Sequence, residues 1–310
     1  MEVTKNRHII LATRVMIVFM AIFIADRGIG ALMKSLYFRQ QSGDGYLINY
    51  AIDSTEADIV VLGSSRAKHS YVPGVFFDSL RMTCYNAGRD GTNHVLFNYA
   101  QFKLITKRHK PDVIIFDIRP EDLAYYSDEY DMLAPLLPFY RTHPEIRDLT
   151  NQRSPFEKMK HISHIYPFNS MIFQVIMGNL EFNKKRKQHS NGFVPYHGSK
   201  LTGTTADTVY VSDSGTDEYK IKLVNEMMET CLSSNIKLIF VYSPTWNYSG
   251  QNRYDTLFAK LVESRSVKYY NMSNMPVFME NPGYFYDRTH LNEEGATIFS
   301  TMLARELMNP

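Results

Sequence analysis

The residues whose types and spacing could do chemistry are one serine early in the chain and an aspartate and a histidine near its end. Ser65 follows a short apolar run that ends at Gly63, while Asp287 and His290 lie three residues apart. A serine hydroxyl becomes a good nucleophile when an imidazole accepts its proton, and a carboxylate fixes the tautomer of that imidazole. We therefore predict Ser65 as nucleophile, His290 as general base and Asp287 as its orienter. The alternative is a serine that only caps a helix, beside a structural Asp–His pair.

Two backbone N–H groups could stabilise the negative charge that such chemistry develops. Ser65 stands at a predicted strand-to-helix turn, where its N–H has no acceptor within the helix. Gly88 lies in a turn after a second apolar run and could bring another N–H close without a side chain in the way. We expect an oxyanion hole of Ser65 and Gly88, although Gly88 could also be only a turn glycine.

Several charged or polar residues near these positions are candidates for substrate binding. They are Arg66, Arg89, Asn93, Arg119 and Glu121. Arginines at loop ends are more often solvated, which is the alternative for Arg66 and Arg89. His161 and His164 are one helical turn apart and could ligate a metal, but no third ligand suggests itself. The sequence thus predicts neither a metal nor a cofactor.

Short apolar runs predict five strands, at 58–63, 82–86, 112–117, 236–242 and 267–270, and the runs at 58–63 and 112–117 have the pattern of buried strands. Helical spacing predicts helices at 93–110, 217–234, 253–263 and 292–308. Strands that alternate with helices imply a mostly parallel sheet covered on both sides, a three-layer α/β fold. Because ligands bind at the carboxyl ends of such strands, the candidate residues should converge there.

About a hundred residues with weak periodicity separate the third strand from Asp217. A structureless loop of that size is uncommon in a compact domain. We interpret residues 123–214 as a helical insertion, or cap, over the site.

The N-terminal apolar run from His8 to Ala25 is about long enough to cross a bilayer as a helix. Lys5 and Arg7 precede it and favour an inside N-terminus with the body outside, although basic residues also follow the run. A cleaved signal peptide and a buried soluble helix are the alternatives. The predicted organisation is a stub and transmembrane anchor at 1–38, a tether at 39–55 and a domain at 56–310.

Composition excludes other classes of protein. The chain has 310 residues, 44% of them hydrophobic and 21% charged, with a net charge of +2, which is unlike a disordered or polyanion-binding chain. No basic and aromatic pattern accompanies the Lys184–Lys187 run, so nucleic-acid binding finds no support. Cys84 and Cys231 could form one bridge, but their apolar surroundings favour two core cysteines.

Three short blocks resemble those of the SGNH (GDSL-like) hydrolase superfamily. They are Gly63-Ser64-Ser65, Asn86-Ala87-Gly88 and Asp287-x-x-His290, and the resemblance covers residues 56–122 and 215–308. It implies a flavodoxin-like fold, with Ser65, His290 and Asp287 as the catalytic triad and Gly88 as an oxyanion donor. The Gly-Ser-Ser block resembles membrane-anchored variants of the superfamily, including D-alanyl transfer and alginate O-acetylation proteins.

The sequence departs from this superfamily at two positions. Ser64 replaces the usual Asp of the first block, and Glu121 stands where the third block supplies an Asn side-chain donor. Loss of one oxyanion donor costs about 10² to 10³ in rate unless another group replaces it. Arg66, Arg89, Asn93 and Arg119 are candidate replacements.

The resemblance implies a membrane-anchored, extracytoplasmic serine esterase or O-acyltransferase that acts on acyl esters of a cell-envelope glycan or lipid-linked polymer. If acyl groups are delivered from inside the cell, a multi-pass membrane acyltransferase would be a partner. The alternative, motivated by Glu121, is a catalytically impaired envelope assembly or glycan-binding protein. A phospholipase-like activity is a third and weaker interpretation.

Overall fold

The computed structural model describes residues 2–91, 95–180, 191–201, 215–246 and 252–308. Its strands are β1 (Ile59–Leu62), β2 (Cys84–Asn86), β3 (Val113–Asp117), β4 (Lys237–Tyr242) and β5 (Lys268–Asn271). Its helices are α1 (Glu2–Phe38), α2 (Gly43–Asp53), α3 (Ser65–Ser70), α4 (Pro73–Leu80), α5 (Val95–Arg108), α6 (Arg147–Asn151), α7 (Glu157–Lys160), α8 (Ile172–Asn179), α9 (Glu218–Ser233), α10 (Arg253–Glu263), α11 (Pro276–Met279) and α12 (Glu293–Met308).

The five strands form one sheet in the order β2-β1-β3-β4-β5, and every pairing is parallel. This order places β3 at the centre, between β1 and β4, and brings the carboxyl ends of all strands to one edge. The predicted α/β class with a parallel sheet is confirmed. The order is also that of flavodoxin-like folds.

Both faces of the sheet are covered at β1, β2 and β3, since successive side chains point to opposite faces and every residue of these strands is buried. Ile59 and Val61 of β1 belong to a core that includes Phe76 of α4 and Phe299 of α12. Phe240 of β4 meets Phe258 of α10 edge to face, with ring centroids 5.2 Å apart. The helices α3 and α4 pack against α12, while α5 packs against α9.

Side-chain caps set the starts of two helices where the sequence places capping residues. Asp217 Oδ1 accepts a hydrogen bond from Tyr219 N at 2.9 Å, and α9 begins at the next residue. Asn292 Oδ1 accepts one from Gly295 N at 3.0 Å, directly ahead of α12. Since His290 stands two residues before this cap, α12 fixes the position of the loop that carries it.

The chain divides into two compact units. The helical unit comprises residues 1–46 and 134–184, and the sheet unit comprises residues 47–133 and 185–310. Most of the predicted insertion thus groups with the N-terminal helix. The predicted tether at 39–55 contains α2, because Leu47, Ile48, Ala51 and Ile52 bury one side of that segment.

The N-terminal helix α1 runs through the apolar stretch and beyond it to Phe38. From Asn6 to Phe38 it is long and apolar enough to cross a membrane. Its apolar side chains between Ile9 and Ile24 are exposed, with Phe19 and Ile24 more than 60% exposed. In the sheet unit, Cys84 and Cys231 are both free and buried.

Candidate active site

The turn between β1 and α3 places Ser65 at the carboxyl edge of the sheet. Gly63 adopts φ +150°, and a Cβ there would approach Ala67 Cβ to 2.7 Å, so only glycine fits. The Gly63 N–H donates to Asn98 Oδ1 at 2.8 Å, which fixes the turn against α5. Ser64 then caps α3 through its side chain, and Ser65 becomes the first residue of that helix.

A closed loop carries Asp287 and His290. Phe285 and Leu291 pair across its base as an antiparallel bridge, and both side chains are fully buried. The Tyr286 N–H donates to His290 O at 2.9 Å, which closes the loop above the bridge. Burial of the two apolar ends therefore presents the polar residues between them to the site.

The two segments meet in a Ser–His–Asp arrangement. Ser65 Oγ lies 2.8 Å from His290 Nε2, and His290 Nδ1 lies 2.9 and 3.0 Å from the two carboxylate oxygens of Asp287. The Asp287 carboxylate also accepts from the backbone N–H groups of Thr289 and His290. Burial alone would raise the pKa of Asp287, but the hydrogen bonds from Thr289 and His290 outweigh it and hold that pKa below its ordinary value.

This arrangement can activate a hydroxyl. An ionised Asp287 accepts the Nδ1 proton of His290, which leaves Nε2 as the acceptor for the Ser65 hydroxyl proton. The geometry for nucleophilic catalysis is therefore present without any rearrangement of these three side chains.

The two expected oxyanion donors differ in availability. The Ser65 N–H is at the first position of α3, where a helix offers no acceptor. The Gly88 N–H instead donates to Asn86 Oδ1 at 3.0 Å. The amide nitrogen of Asn86 donates to Ala67 O at 2.7 Å and Tyr71 O at 2.9 Å. The Asn86 side chain thus links β2 to α3. It also accepts the Gly88 N–H, which the sequence assigns to the oxyanion.

Arg66 lies in the core of the sheet unit, which differs from its expected place at the substrate. Its guanidinium is 2.5 Å from Asp117 Oδ1, and only 7% of its side chain is exposed. Asp117 also accepts from the Tyr71 hydroxyl at 2.9 Å. Burial raises the pKa of Asp117, and Arg66 offsets this effect only in part. This ion pair joins α3 to the end of β3, directly behind Ser65.

The other candidate binding residues also have internal partners. Arg119 forms a two-nitrogen ion pair with Asp122 at 2.9 and 3.1 Å, and the negative charge of Asp122 raises the pKa of Arg119. Glu121 Oε1 accepts from the side-chain amide of Asn252 at 2.6 Å, so this carboxylate acts as an acceptor. Arg89 lies over the Phe97 ring at 5.2 Å. Asn93 falls outside the described residues.

Two rings to which the sequence assigns no role in the chemistry pack against His290. Tyr196 and His69 each have a ring centroid 5.6 Å from that of His290, both in edge-to-face geometry. Tyr196 also stacks on His69 at 3.8 Å and on Tyr286 at 4.1 Å. The segment 191–201 thus belongs to the site, although no periodicity or motif marks Tyr196 in the sequence.

A second imidazole–carboxylate pair lies beside the first. His69 Nε2 is 3.1 Å from Asp90 Oδ1, and His69 Nδ1 is 2.6 Å from Val194 O. Lys68 Nζ donates to the other oxygen of Asp90 at 2.7 Å. Burial alone would raise the pKa of Asp90, but His69 and Lys68 together hold it well below its ordinary value.

Among the described residues, no group of three or more His, Cys, Asp and Glu side chains could hold a metal ion. His161, a residue of the pair considered as ligands, stacks on Tyr140 at 3.5 Å inside the helical unit. Burial lowers the pKa of His161 to about 4.

Comparison with known proteins leaves the family open. No family model matches the sequence, and no curated protein matches it. Among solved structures, a Bacteroides fragilis protein described as an acylhydrolase matches with 12% identity and a TM-score of 0.34, over 81% of this chain and 88% of its own. A GDSL-like lipase of Bacteroides thetaiotaomicron matches with 10% identity and a TM-score of 0.34, over 80% and 88%. The function of this chain is therefore inferred from the geometry of its own residues.

Proposed function

We propose that this protein is a serine esterase or O-acyltransferase that works through an acyl-serine intermediate. The observation that carries the proposal is the continuous hydrogen-bonded chain from Ser65 Oγ through His290 to Asp287. The resemblance of the three sequence blocks to the SGNH superfamily adds to this support. The same blocks lie at the carboxyl edge of a parallel sheet, where such folds bind ligands.

In the first half of the reaction, Ser65 Oγ attacks the ester carbonyl carbon while its proton moves to His290 Nε2. The carbonyl oxygen becomes an oxyanion near the Ser65 N–H, and Asp287 stabilises the imidazolium. As the tetrahedral intermediate collapses, the C–O bond of the ester breaks and the leaving alkoxide takes the proton from His290. The products are an acyl-serine and a free alcohol.

In the second half, a water molecule or an acceptor hydroxyl attacks the acyl carbon. His290 Nε2 accepts its proton and then returns it to Ser65 Oγ as the acyl-serine bond breaks. Water gives a carboxylic acid, whereas an alcohol gives a new ester. The two activities therefore differ only in which nucleophile reaches the acyl-serine.

The cellular setting is proposed on separate grounds. The exposed apolar surface of α1 supports a membrane anchor. Asp26 and Arg27 follow the apolar run directly, where a signal peptide would carry small residues, which supports an uncleaved anchor. Lys5 and Arg7 support an extracytoplasmic body. Such a placement suits acyl esters of a cell-envelope glycan or lipid-linked polymer. A multi-pass membrane acyltransferase is the partner that would supply acyl groups from inside.

A second candidate function is a glycan-binding or envelope assembly protein that has lost turnover. Two observations favour it: the Gly88 N–H is occupied by Asn86, and Glu121 is an acceptor where a donor is expected. Both would weaken oxyanion stabilisation while leaving the fold intact.

Active-site labelling separates the two candidates. We expect a fluorophosphonate probe to label the full-length protein at Ser65, and Ser65→Ala and His290→Ala to abolish labelling. Ser233→Ala, at an exposed serine of α9, is the matched control and should label like wild type. Absence of labelling in folded wild type would sink the catalytic proposal and favour the binding protein.

Product analysis then distinguishes hydrolysis from transfer. With an aryl acetate as donor, an esterase releases acetate whether or not a sugar hydroxyl is added. With an acyltransferase, the added sugar is converted to the sugar ester and less acetate is released. If acylation limits turnover, the rate of aryl alcohol release stays the same.

A further inference from the structure

The turn around α7, in the helical unit, is polar inside and apolar outside. Phe156, Met159 and Ile162 recur at every third position and are 62%, 60% and 65% exposed. The polar residues Glu157 and His161 on the opposite side of the turn are buried. In water, this arrangement is the reverse of what an amphipathic turn adopts.

The buried carboxylate of Glu157 has three hydrogen-bond donors, so the inversion is built into the fold. Glu157 accepts from Arg153 Nη1 at 2.9 Å, from the Tyr166 hydroxyl and from Lys160 Nζ at 3.3 Å. The three apolar side chains are therefore held outward by polar contacts behind them. Lys158, also exposed, lies between Phe156 and Met159.

This turn is fastened to α1 at the end of its apolar run. Asp26 accepts from Ser163 Oγ at 2.5 Å and from His164 N at 2.8 Å, and Arg27 donates to Ile162 O at 2.8 Å. A Cβ at Gly30 would collide with His164, so the two segments are in close contact. These contacts fix the position of the turn along the axis of α1.

The turn therefore lies beside the apolar run of α1. Ile162 lines an open groove of about 750 Å³ together with Met16, Phe19, Met20 and Phe23 of α1. At 1.5 Å per residue, Met16 lies about 16 Å below Arg27 along the helix axis, or about half the thickness of the hydrocarbon core. If α1 crosses a bilayer, the groove beside Ile162 opens into hydrocarbon.

We propose that the turn 156–163 is a second membrane contact, in which Phe156, Met159 and Ile162 enter the bilayer beside α1 and lipid acyl chains fill the groove. The inference rests on the proposed anchor. Lys158 is suited to reach the phosphates of anionic lipids, because a lysine can extend its charged end toward the headgroups.

The groove fits acyl chains better than a transmembrane helix of another protein. Helix pairs in membranes favour small residues that allow close approach. The α1 side of this groove carries methionine and phenylalanine, and Gly30 is already covered by His164. Flexible chains can fill such an uneven surface, whereas a rigid helix packs poorly against it.

Spin labels on the full-length protein in phosphatidylcholine and phosphatidylglycerol vesicles test this inference. The labelled variants are Met159→Cys and Ile162→Cys, with Phe19→Cys as the reference within α1 and Leu232→Cys as the exposed reference on α9. Burial raises the pKa of the native Cys84 and Cys231 thiols, the latter to about 12, so both should resist labelling. Unsubstituted protein measures any residual reaction.

We expect labels at positions 159 and 162 to collide with oxygen in preference to a water-soluble nickel complex, as at 19, with a ratio several-fold above that at 232. If the label at position 19 shows the lipid ratio but the labels at 159 and 162 show the aqueous ratio of position 232, the inference is wrong and the proposed anchor is retained. An aqueous profile at 19 would overturn both. Labels shielded from both reagents in native membranes, but lipid-exposed in vesicles, would show that a protein fills the groove and overturn the acyl-chain assignment.

Discussion

The carboxylate of Asp287 contacts His290 Nδ1 through both oxygens while accepting two backbone N–H groups, so it fixes both the ring and its tautomer. Asp287→Asn keeps the size of the side chain but can present an N–H to Nδ1 and favour the wrong tautomer. We expect kcat for ester hydrolysis to fall by about 10³ to 10⁴. Steady-state kinetics with an aryl ester measures it, and an unchanged circular dichroism spectrum excludes misfolding. A loss below tenfold would remove Asp287 from the triad.

Tyr196 acts through His290 by packing against its ring, which makes it a positioning residue. Edge-to-face pairs of this kind contribute about 0.5 to 1.5 kcal/mol, so Tyr196→Ala should lower kcat by up to about tenfold with little change in KM. Tyr196→Phe retains the ring and should restore the rate. Equal losses in both variants would show that the hydroxyl, and not the packing, matters.

At the residue scale, the sequence predicts those site residues whose spacing along the chain already determines their positions. Ser65 after a strand, and Asp287 three residues before His290, are visible because chain-local geometry places them. Tyr196 belongs to a segment far from His290 in the chain that meets it only in the fold. The Gly88–Asn86 hydrogen bond is local, but the Asn86 side chain is oriented by its bonds to Ala67 O and Tyr71 O in another segment. The same holds for Arg66, whose partner Asp117 is 51 residues away.

Between elements, the Arg66–Asp117 pair holds α3 against β3. Removing one partner of a buried ion pair costs about 3 to 5 kcal/mol, because the other charge is left uncompensated. Arg66→Met should therefore lower the free energy of unfolding by roughly that amount. The double variant Arg66→Met with Asp117→Asn should recover part of the loss. Urea unfolding measures both, and additive losses in the double variant would contradict this account.

The elements of the sheet unit were predictable because β1, β3 and β4 are mainly apolar runs and α9, α10 and α12 begin at local capping residues. The helix α10 begins and ends at the predicted residues, Arg253 and Glu263. The helix α2 was missed, since the polar residues before it suggest a tether and only tertiary burial of Ile48 and Ile52 stabilises it. Weak periodicity gave no bounds for α6 to α8.

Across the whole molecule, acid should weaken the fold in part through Asp90. Its pKa is lowered in the native state, so its contribution is fully present above the unfolded pKa of about 3.9 and is lost as pH falls through the native value. Asp90→Asn should lower Tm at pH 7 and reduce the further loss between pH 4 and pH 2. Thermal scans across this range measure the difference. Parallel curves for variant and wild type would contradict the assignment.

The proposed topology makes a further prediction for the whole chain. With Lys5 and Arg7 inside, a C-terminal tag should be cut by protease added to intact cells or right-side-out vesicles. A cytoplasmic marker protein should survive the same treatment. Protection of the tag until detergent is added would place the body in the cytoplasm.

The hydrogen bond between Ser65 and His290 joins residues 225 positions apart. During synthesis the nucleophile leaves the ribosome long before its base, and the base is held in place only once Asn292 caps the closing helix. A nascent chain that ends before His290 carries Ser65 without the imidazole that accepts its proton. In the proposed mechanism, Ser65 therefore stays unactivated until the chain has been synthesised and folded through Asn292, so a reactive serine reports that the loop of Asp287 and His290 is in place.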